Sequence, residues 1–312
     1  MVSICSRSEK GKNVDTTRNG TPITADEQHE IRRANQSGRT PVVFVHGLWL
    51  LPGSWHRWAD LFERAGYTTL TPGWPYNPET IEEARAKRDV FQGTPIGKVA
   101  DHFEQVIGML NRRPVIIGHS FGGLLTEILA GRGLAAASVA ISPVRSRDVL
   151  NISRDVSIDP TIPSKLIALR PASPILPHPA NKHRAVPRTY DQFRGQFANA
   201  VDEDQAKRLY EQFCVPASAD LFQAAPAANL GPATEAEVDY KNPDRGPMLI
   251  IAGDQDRAVP VAITRTAFKR EQDNEGTTEY VELRTRGHAL VIDDNWQEVA
   301  ETALRFVARF VS

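Results

Sequence analysis

The chain has 312 residues, 41% of them hydrophobic and 24% charged, with a mean hydropathy of −0.36. That is the composition of a folded globular protein with room for one large or two ordinary domains, and it excludes the disordered, fibrous and membrane-embedded classes. The 37 basic and 38 acidic side chains leave a formal charge of −1, so no cationic excess exists to hold a phosphate backbone and nucleic acid is not an expected partner.

Residues 1–22 are polar and without periodicity, which reads as a flexible arm. They contain no apolar signal segment, and no run of about 18 apolar residues occurs anywhere, so the expectation is a protein without a membrane span, cytoplasmic by default. Cys5, in this arm, and Cys214 are the only cysteines; they allow at most one disulfide and no metal-ligand spacing. Thr24 with Glu27 forms a capping-box pattern and predicts a helix to about Asn35, stopped by Gly38. Val42 to Val45 follows Pro41 as a short apolar run rich in β-branched residues, the signature of a strand buried on both faces. Ser54 is expected to cap a helix carrying Trp55, Trp58, Leu61 and Phe62, and Gly66 precedes a second strand, Tyr67 to Leu70.

The same alternation continues with a helix from Gly97 to Leu110, a third strand from Pro114 to Gly118, a helix directly after Ser120, and a fourth strand from Ala137 to Ser142. Strands at Met248–Ala252 and Glu279–Leu283, each followed by a helix, complete a set that predicts an α/β fold: a mostly parallel central sheet with helices on both faces. Between Pro143 and Gly246 this rhythm stops, with more than half of the 22 prolines and no convincing buried strand. Two helices are expected there, one capped by Thr189 with Gln192 and burying Phe193 and Phe197, the other from Asp202 to Phe213. The expected organisation is an arm at 1–22, a core at 23–142 and 247–312, and an inserted helical lid at 143–246.

Gly118-His119-Ser120-Phe121-Gly122 is a G-x-S-x-G pattern between a buried strand and an apolar helix, which places Ser120 at a sharp strand-to-helix turn. A serine hydroxyl is a poor nucleophile at neutral pH and needs a base, and the base needs a group that fixes its tautomer. His288, behind Gly287 after the last strand, is the expected base. Asp254 and Asp256, in the loop after the strand at Met248, compete for the acid role. Asp293 and Asp294 read as structural residues at the start of the last helix, and Glu127 as a polar position on the nucleophile helix. For the oxyanion hole the expected donors are the backbone N–H of Phe121 and that of Leu48, in the His46-Gly47-Leu48-Trp49 loop where Gly47 permits close approach. His46 and His119 are expected to bond loop backbone. His178 and His183 lack a third ligand for zinc, Asn151-Ile152-Ser153 reads as a chance glycosylation triplet, and neither a metal nor an organic cofactor is expected.

Taken together, the His46-Gly47 loop, the Ser120 elbow, the Gly253-to-Pro260 loop and Gly287-His288 resemble the α/β-hydrolase superfamily, over residues 41–311 apart from the insert. The His46-Gly47-Leu48-Trp49 loop followed by Ser54-Trp55 is similar to its esterase, cofactor-free haloperoxidase (perhydrolase) and hydroxynitrile lyase branches. The resemblance implies that Asp256, shortly before Val259-Pro260, is the acid of the triad, and it makes a small-molecule carboxylic ester the expected substrate. It implies a lid over the nucleophile, so that Phe193 and Phe197, with Trp49 and Trp74 beside the oxyanion region, line a substrate pocket. A lactonase or perhydrolase, a lyase on the same triad, and a non-catalytic ligand receptor are the alternatives. The family's leading antiparallel strand pair is not evident before Pro41.

Overall fold

The structure, a computed structural model, describes residues 21–86, 96–144, 185–218 and 237–311. The expected arm as far as residue 20, the Asn151 triplet, His178 and His183 lie outside these residues.

Helix α1 (Ala25–Ser37) begins with both halves of the Thr24/Glu27 capping box in place and ends at Gly38, whose φ of 65° is left-handed. Glu27 is also buried and accepts a hydrogen bond from His102 Nε2 at 2.8 Å, while Thr21 Oγ1 lies 2.7 Å from His102 Nδ1. Burial opposes ionisation of Glu27, but the bonds from His102 and Thr24 outweigh it and hold the carboxyl below its usual range. The cap residue therefore docks α1 onto α4 (Ile96–Gly108) as well as starting its own helix.

Six strands form one parallel sheet in the order β2 (Thr68–Leu70), β1 (Pro41–Val45), β3 (Val115–His119), β4 (Ala137–Ile141), β7 (Met248–Gly253) and β8 (Thr278–Leu283). Every residue of β1, β3, β4 and β7 is buried, which accounts for their unbroken apolar runs. One face packs Phe44, Trp55, Trp58 and Phe62 with the last helix, and the other packs Val43, Val45, Phe103 and Leu125. Phe44 stacks on Trp55 with centroids 5.1 Å apart and meets Trp58 and Phe62 edge-on, and Trp58 Nε1 donates to the carbonyl of Val291 at 2.9 Å. Burying these large rings is what anchors this layer, with the Trp58 indole bonded and the buried Trp55 indole N–H left without a partner.

Ser54 is not a helix cap. Pro52 starts a 3-10 turn (Pro52–Trp55), and the Ser54 hydroxyl donates backwards to the carbonyl of Leu51 at 2.8 Å; α2 (His56–Arg64) continues from that turn. The helix after β3 is α5 (Phe121–Gly131), preceded by α3 (Ile81–Ala86), which no periodicity announced.

Between β4 and β7 the described residues hold a short helix, α6 (Tyr190–Gln192), that runs on into a π-turn (Phe193–Phe197), and then α7 (Glu203–Phe213). The caps are the expected ones: Thr189 with Gln192, and Asp202 bonding the N–H of Gln205. The strands described in this stretch are a two-residue antiparallel ladder, β5 (Ala185–Val186) with β6 (Ala217–Ser218), too short for a sequence pattern to register. Two helices complete the core, α8 (Val261–Glu271) and α9 (Trp296–Val307).

Glu127 is not a solvated position on α5: it is completely buried. It lies close enough to Arg245 to act on its charge, and Arg245 itself is paired with Glu271 at 3.0 Å and bonded to Thr278 Oγ1 at 2.8 Å, with Arg245 and Glu271 fully shielded from solvent. This cluster lies at the sheet edge where β7 and β8 begin. Removing one member of a buried ion pair strands the other. Glu271→Ala is expected to cost about 3–5 kcal/mol, read as a lower urea midpoint; a loss under about 1 kcal/mol would show that the pair does not hold this edge.

Candidate active site

The chain leaves β1 toward β2 on one side, and β3, on the other flank of β1, leaves toward β4. The loops after β1 and β3 therefore part at their carboxyl ends, which opens a crevice at the point where the strand order reverses. The sequence places His46-Gly47-Leu48-Trp49 on one lip and Ser120 on the other.

Ser120 is held at φ 59°, ψ −118°, a region that costs a residue with a side chain about 1–3 kcal/mol. The strain is fixed from three directions. The Ser120 N–H donates to Ile141 at 2.9 Å, and its carbonyl accepts from Leu124 and Val144, each at 3.2 Å. A Cβ on Gly118 would stand 2.0 Å from the carbonyl oxygen of Gly122, and one on Gly122 would stand 2.0 Å from that of Val45, so both positions exclude any side chain. The turn thus points Ser120 out of the sheet at the start of α5, whose first N–H groups carry the positive end of the helix dipole. A Cβ on Gly47 would lie 3.0 Å from Ser120 Cβ, which puts the first-strand loop, and with it the buried Leu48, directly beside the serine. Phe121 is the first residue of α5 and half-buried.

His288 and Asp256 meet on the same edge. His288 Nδ1 lies 2.7 Å from Asp256 Oδ2, and both side chains are shielded from solvent. The other oxygen of Asp256 accepts the backbone N–H groups of Ala258 and Val259 at 2.9 and 2.7 Å, which fixes the carboxylate plane. The geometry separates the two acids that spacing left open: Asp254 is exposed and accepts only the backbone N–H of Arg286 at 3.3 Å. With Nδ1 committed to Asp256, Nε2 is the nitrogen left to exchange a proton.

Two walls flank this group. Phe197, from the π-turn, presents an edge to the His288 ring at 4.9 Å and stacks on Phe193 at 5.0 Å. Phe193 continues to Tyr210 in the helix packing, so of the two only Phe197 touches His288. Trp49, with a left-handed φ of 62°, gives its carbonyl to the N–H of Val215 at 3.0 Å, which ties the first-strand loop to the segment after α7. Trp74 is buried and stacks on His46 at 5.2 Å, behind the loop.

His46 bonds loop backbone as expected, with Nδ1 2.9 Å from the Gly47 oxygen. The His119 ring lies 4.5 Å from that of His288 and contacts the backbone of that loop, although neither nitrogen makes a well-formed bond. Burial, and then the neighbouring His288, push its pKa well down, so it stays neutral beside that imidazole. Asp293 and Asp294 are structural as expected, although α9 starts only after Asn295. Asp293 pairs at 2.7 Å with Arg286, a buried residue that sequence reasoning did not single out. Arg286 also bonds the Leu290 carbonyl, and its own carbonyl accepts from Gln255, so it joins the loops bearing His288 and Asp256. No periodicity marks such a residue; only its place beside Gly287 would have suggested it.

A model described as the Alpha/beta hydrolase family matches residues 42–302. No curated protein matches the sequence. Among solved structures the chain is similar to a monoacylglycerol lipase from Paleococcus ferrophilus, at 21% identity and TM-score 0.58, over 86% of this chain and 94% of that one. It is similar also to an extracellular alpha/beta-hydrolase from a Paenibacillus species, at 16% identity and TM-score 0.58, over 86% and 98%. A third structure, from work on carboxylesterases of the thaumarchaeon Nitrososphaera gargenis, matches at 17% identity and TM-score 0.55, over 88% and 92%. At these identities the likeness is one of fold. No helix among the described residues is long and apolar enough to cross a membrane.

Burial pushes His46 from 6.5 down to about 4. Between those values the unfolded chain takes up a proton that the folded one refuses, so stability falls as pH drops through this window, by up to about 1.4 kcal/mol per pH unit. Urea unfolding at neutral pH and at mildly acidic pH is expected to show the loss, with His46→Asn flattening the slope; an equal slope in both proteins would remove His46 as its source.

Proposed function

The chain belongs to the alpha/beta hydrolase family, and from that premise we propose that it is a serine hydrolase of the esterase branch, cleaving carboxylic esters of small or lipophilic molecules through an acyl-enzyme. The observation that carries this reading is the strained Ser120 turn on the same sheet edge as the buried His288–Asp256 pair.

In this mechanism Ser120 Oγ attacks the ester carbonyl while its proton passes to His288 Nε2. The imidazolium that forms is stabilised through Nδ1–H by Asp256, which stays ionised. The negative carbonyl oxygen is received by the backbone N–H groups of Leu48 and Phe121, each such donor contributing about 3 kcal/mol to the transition state. Collapse breaks the bond to the alcohol, which leaves with the proton from Nε2. Water then repeats the sequence on the acyl-serine and releases the acid. Phe197 shields one side of the imidazole, and the buried Ser120–His288 environment strengthens each charge interaction by excluding water.

In this reading the described part of the insert, residues 185–218, covers the site as a lid, with Phe197 and Trp49 lining the pocket and Phe193 and Trp74 backing them. The solved structures similar in fold include a monoacylglycerol lipase, which is in keeping with ester cleavage.

Ser120→Ala is expected to abolish turnover of a short-chain nitrophenyl ester while leaving the thermal melt intact. Brief exposure of the unmodified protein to such esters should give an acyl-serine mass adduct that the variant lacks. Asp256→Asn should lower kcat about 10³- to 10⁴-fold with little change in folding. Undiminished turnover by Ser120→Ala, or turnover without any adduct under conditions that trap acyl-serine, would move the protein out of acyl-enzyme chemistry.

A further inference from the structure

Arg188 lies between the two walls of the site. Its guanidinium carbon stands 3.9 Å above the ring of Trp49, in the first-strand loop beside Ser120. Its Nη2 reaches Gln196 Oε1 at 3.3 Å, and Gln196 adjoins Phe197, the ring that meets His288. The backbone is fixed as well, since the Tyr210 hydroxyl donates to the Arg188 carbonyl at 2.9 Å.

Among the described residues this guanidinium has no anion. Nη1 is buried without a hydrogen-bond partner, and no carboxylate among the described residues pairs with the side chain. The titratable group that acts on its charge is Cys214, whose thiol is pushed up to about 11 by burial and is therefore neutral. Burial lowers Arg188 to about 10, which still leaves it charged at neutral pH. Arg188 is half-buried as a residue, with Nη1 its shielded end, whereas the buried arginines of the described structure, Arg245 and Arg286, each face a carboxylate within 3.0 Å. An indole face stabilises a cation but gives it no hydrogen-bond acceptor. A desolvated guanidinium with an unused in-plane donor costs free energy unless an oxygen anion completes it.

Resting on the hydrolase reading, we propose that Arg188 is the receptor for a carboxylate on the acyl chain of the substrate, so that the protein acts on half-esters of dicarboxylic acids. The placement supports the acyl side: Trp49, under the guanidinium, continues from the loop that would hold the acyl oxygen. Trp49 would then serve as the platform that keeps the guanidinium planar and aimed, and Gln196 as its lateral restraint.

The probes are mono-para-nitrophenyl adipate and para-nitrophenyl hexanoate, which share chain length and leaving group and differ in the terminal carboxylate. The unmodified protein is expected to favour the adipate in kcat/KM, and Arg188→Met to lower the adipate-to-hexanoate ratio about 10- to 100-fold. Arg188→Lys, keeping charge without the planar fork, should retain part of the ratio. A ratio near one in the unmodified protein, or one unchanged in Arg188→Met, would overturn the proposal. Binding of monomethyl adipate to Ser120→Ala protein, followed by calorimetry, reads the site without turnover. Binding that Arg188→Met in the same background abolishes, together with no cleavage of either ester by the unmodified protein, would sink the hydrolase reading and keep the anion site; absence of binding would sink the anion site whatever the ester result.

Discussion

The structure depends on one crossing in which backbone meets backbone. Helix α5 passes over β1 and β3 so closely that Gly118 and Gly122 have no room for a side chain, the nearest obstacle in each case being a carbonyl oxygen 2.0 Å from where a Cβ would stand. Close approach of this kind lets the helix begin immediately after the strand, without a loop that could relax. The serine between them inherits its position from that lack of slack. Everything else at the site is arranged around the fixed point: the Gly47 loop abuts it from one strand, and the His288 and Asp256 loops converge from the ends of β8 and β7.

Stability and chemistry occupy opposite edges of the sheet. Where β7 and β8 begin, a fully buried arginine, Arg245, is neutralised by Glu271 with Glu127 nearby, and this cluster ties α5 and α8 to the strands. At the other edge the ring nitrogens of His119 are buried without a well-formed bond, and Arg188 has no counter-charge among the described residues. Arg286 bridges the two styles, since its ion pair with Asp293 is structural in kind but holds the loop that carries His288.

The parallel sheet was legible because its strands are buried on both faces and read as unbroken apolar runs, and the helix starts at Thr24, Thr189 and Asp202 were legible because side-chain caps leave a fixed spacing. Ser54 misled because the same residue type caps a helix or closes a turn, and Pro52 two positions earlier decided for the turn. Glu127 misled because helical periodicity assigns a face but does not reveal that an arginine 118 residues further along, Arg245, will be folded against it. The Asp256–His288 pairing was reached through family resemblance; spacing could not separate Asp254 from Asp256, and the structure does so by the turn that sends one outward and the other onto the imidazole. Arg188 carried no signal at all, because an arginine after a proline has no period, and its character comes wholly from the tryptophan it covers.

The backbone at Ser120 sets stability against selection. Glycine adopts φ 59° and ψ −118° freely, whereas serine holds them at a cost of about 1–3 kcal/mol. A lineage released from any need for a hydroxyl at this position would drift toward glycine and become more stable in doing so. Serine is therefore the residue whose replacement by glycine would be thermodynamically rewarded, and its presence here, between His119 and Phe121 in a turn flanked by Gly118, Gly122 and Gly123, runs against the gradient of fold stability.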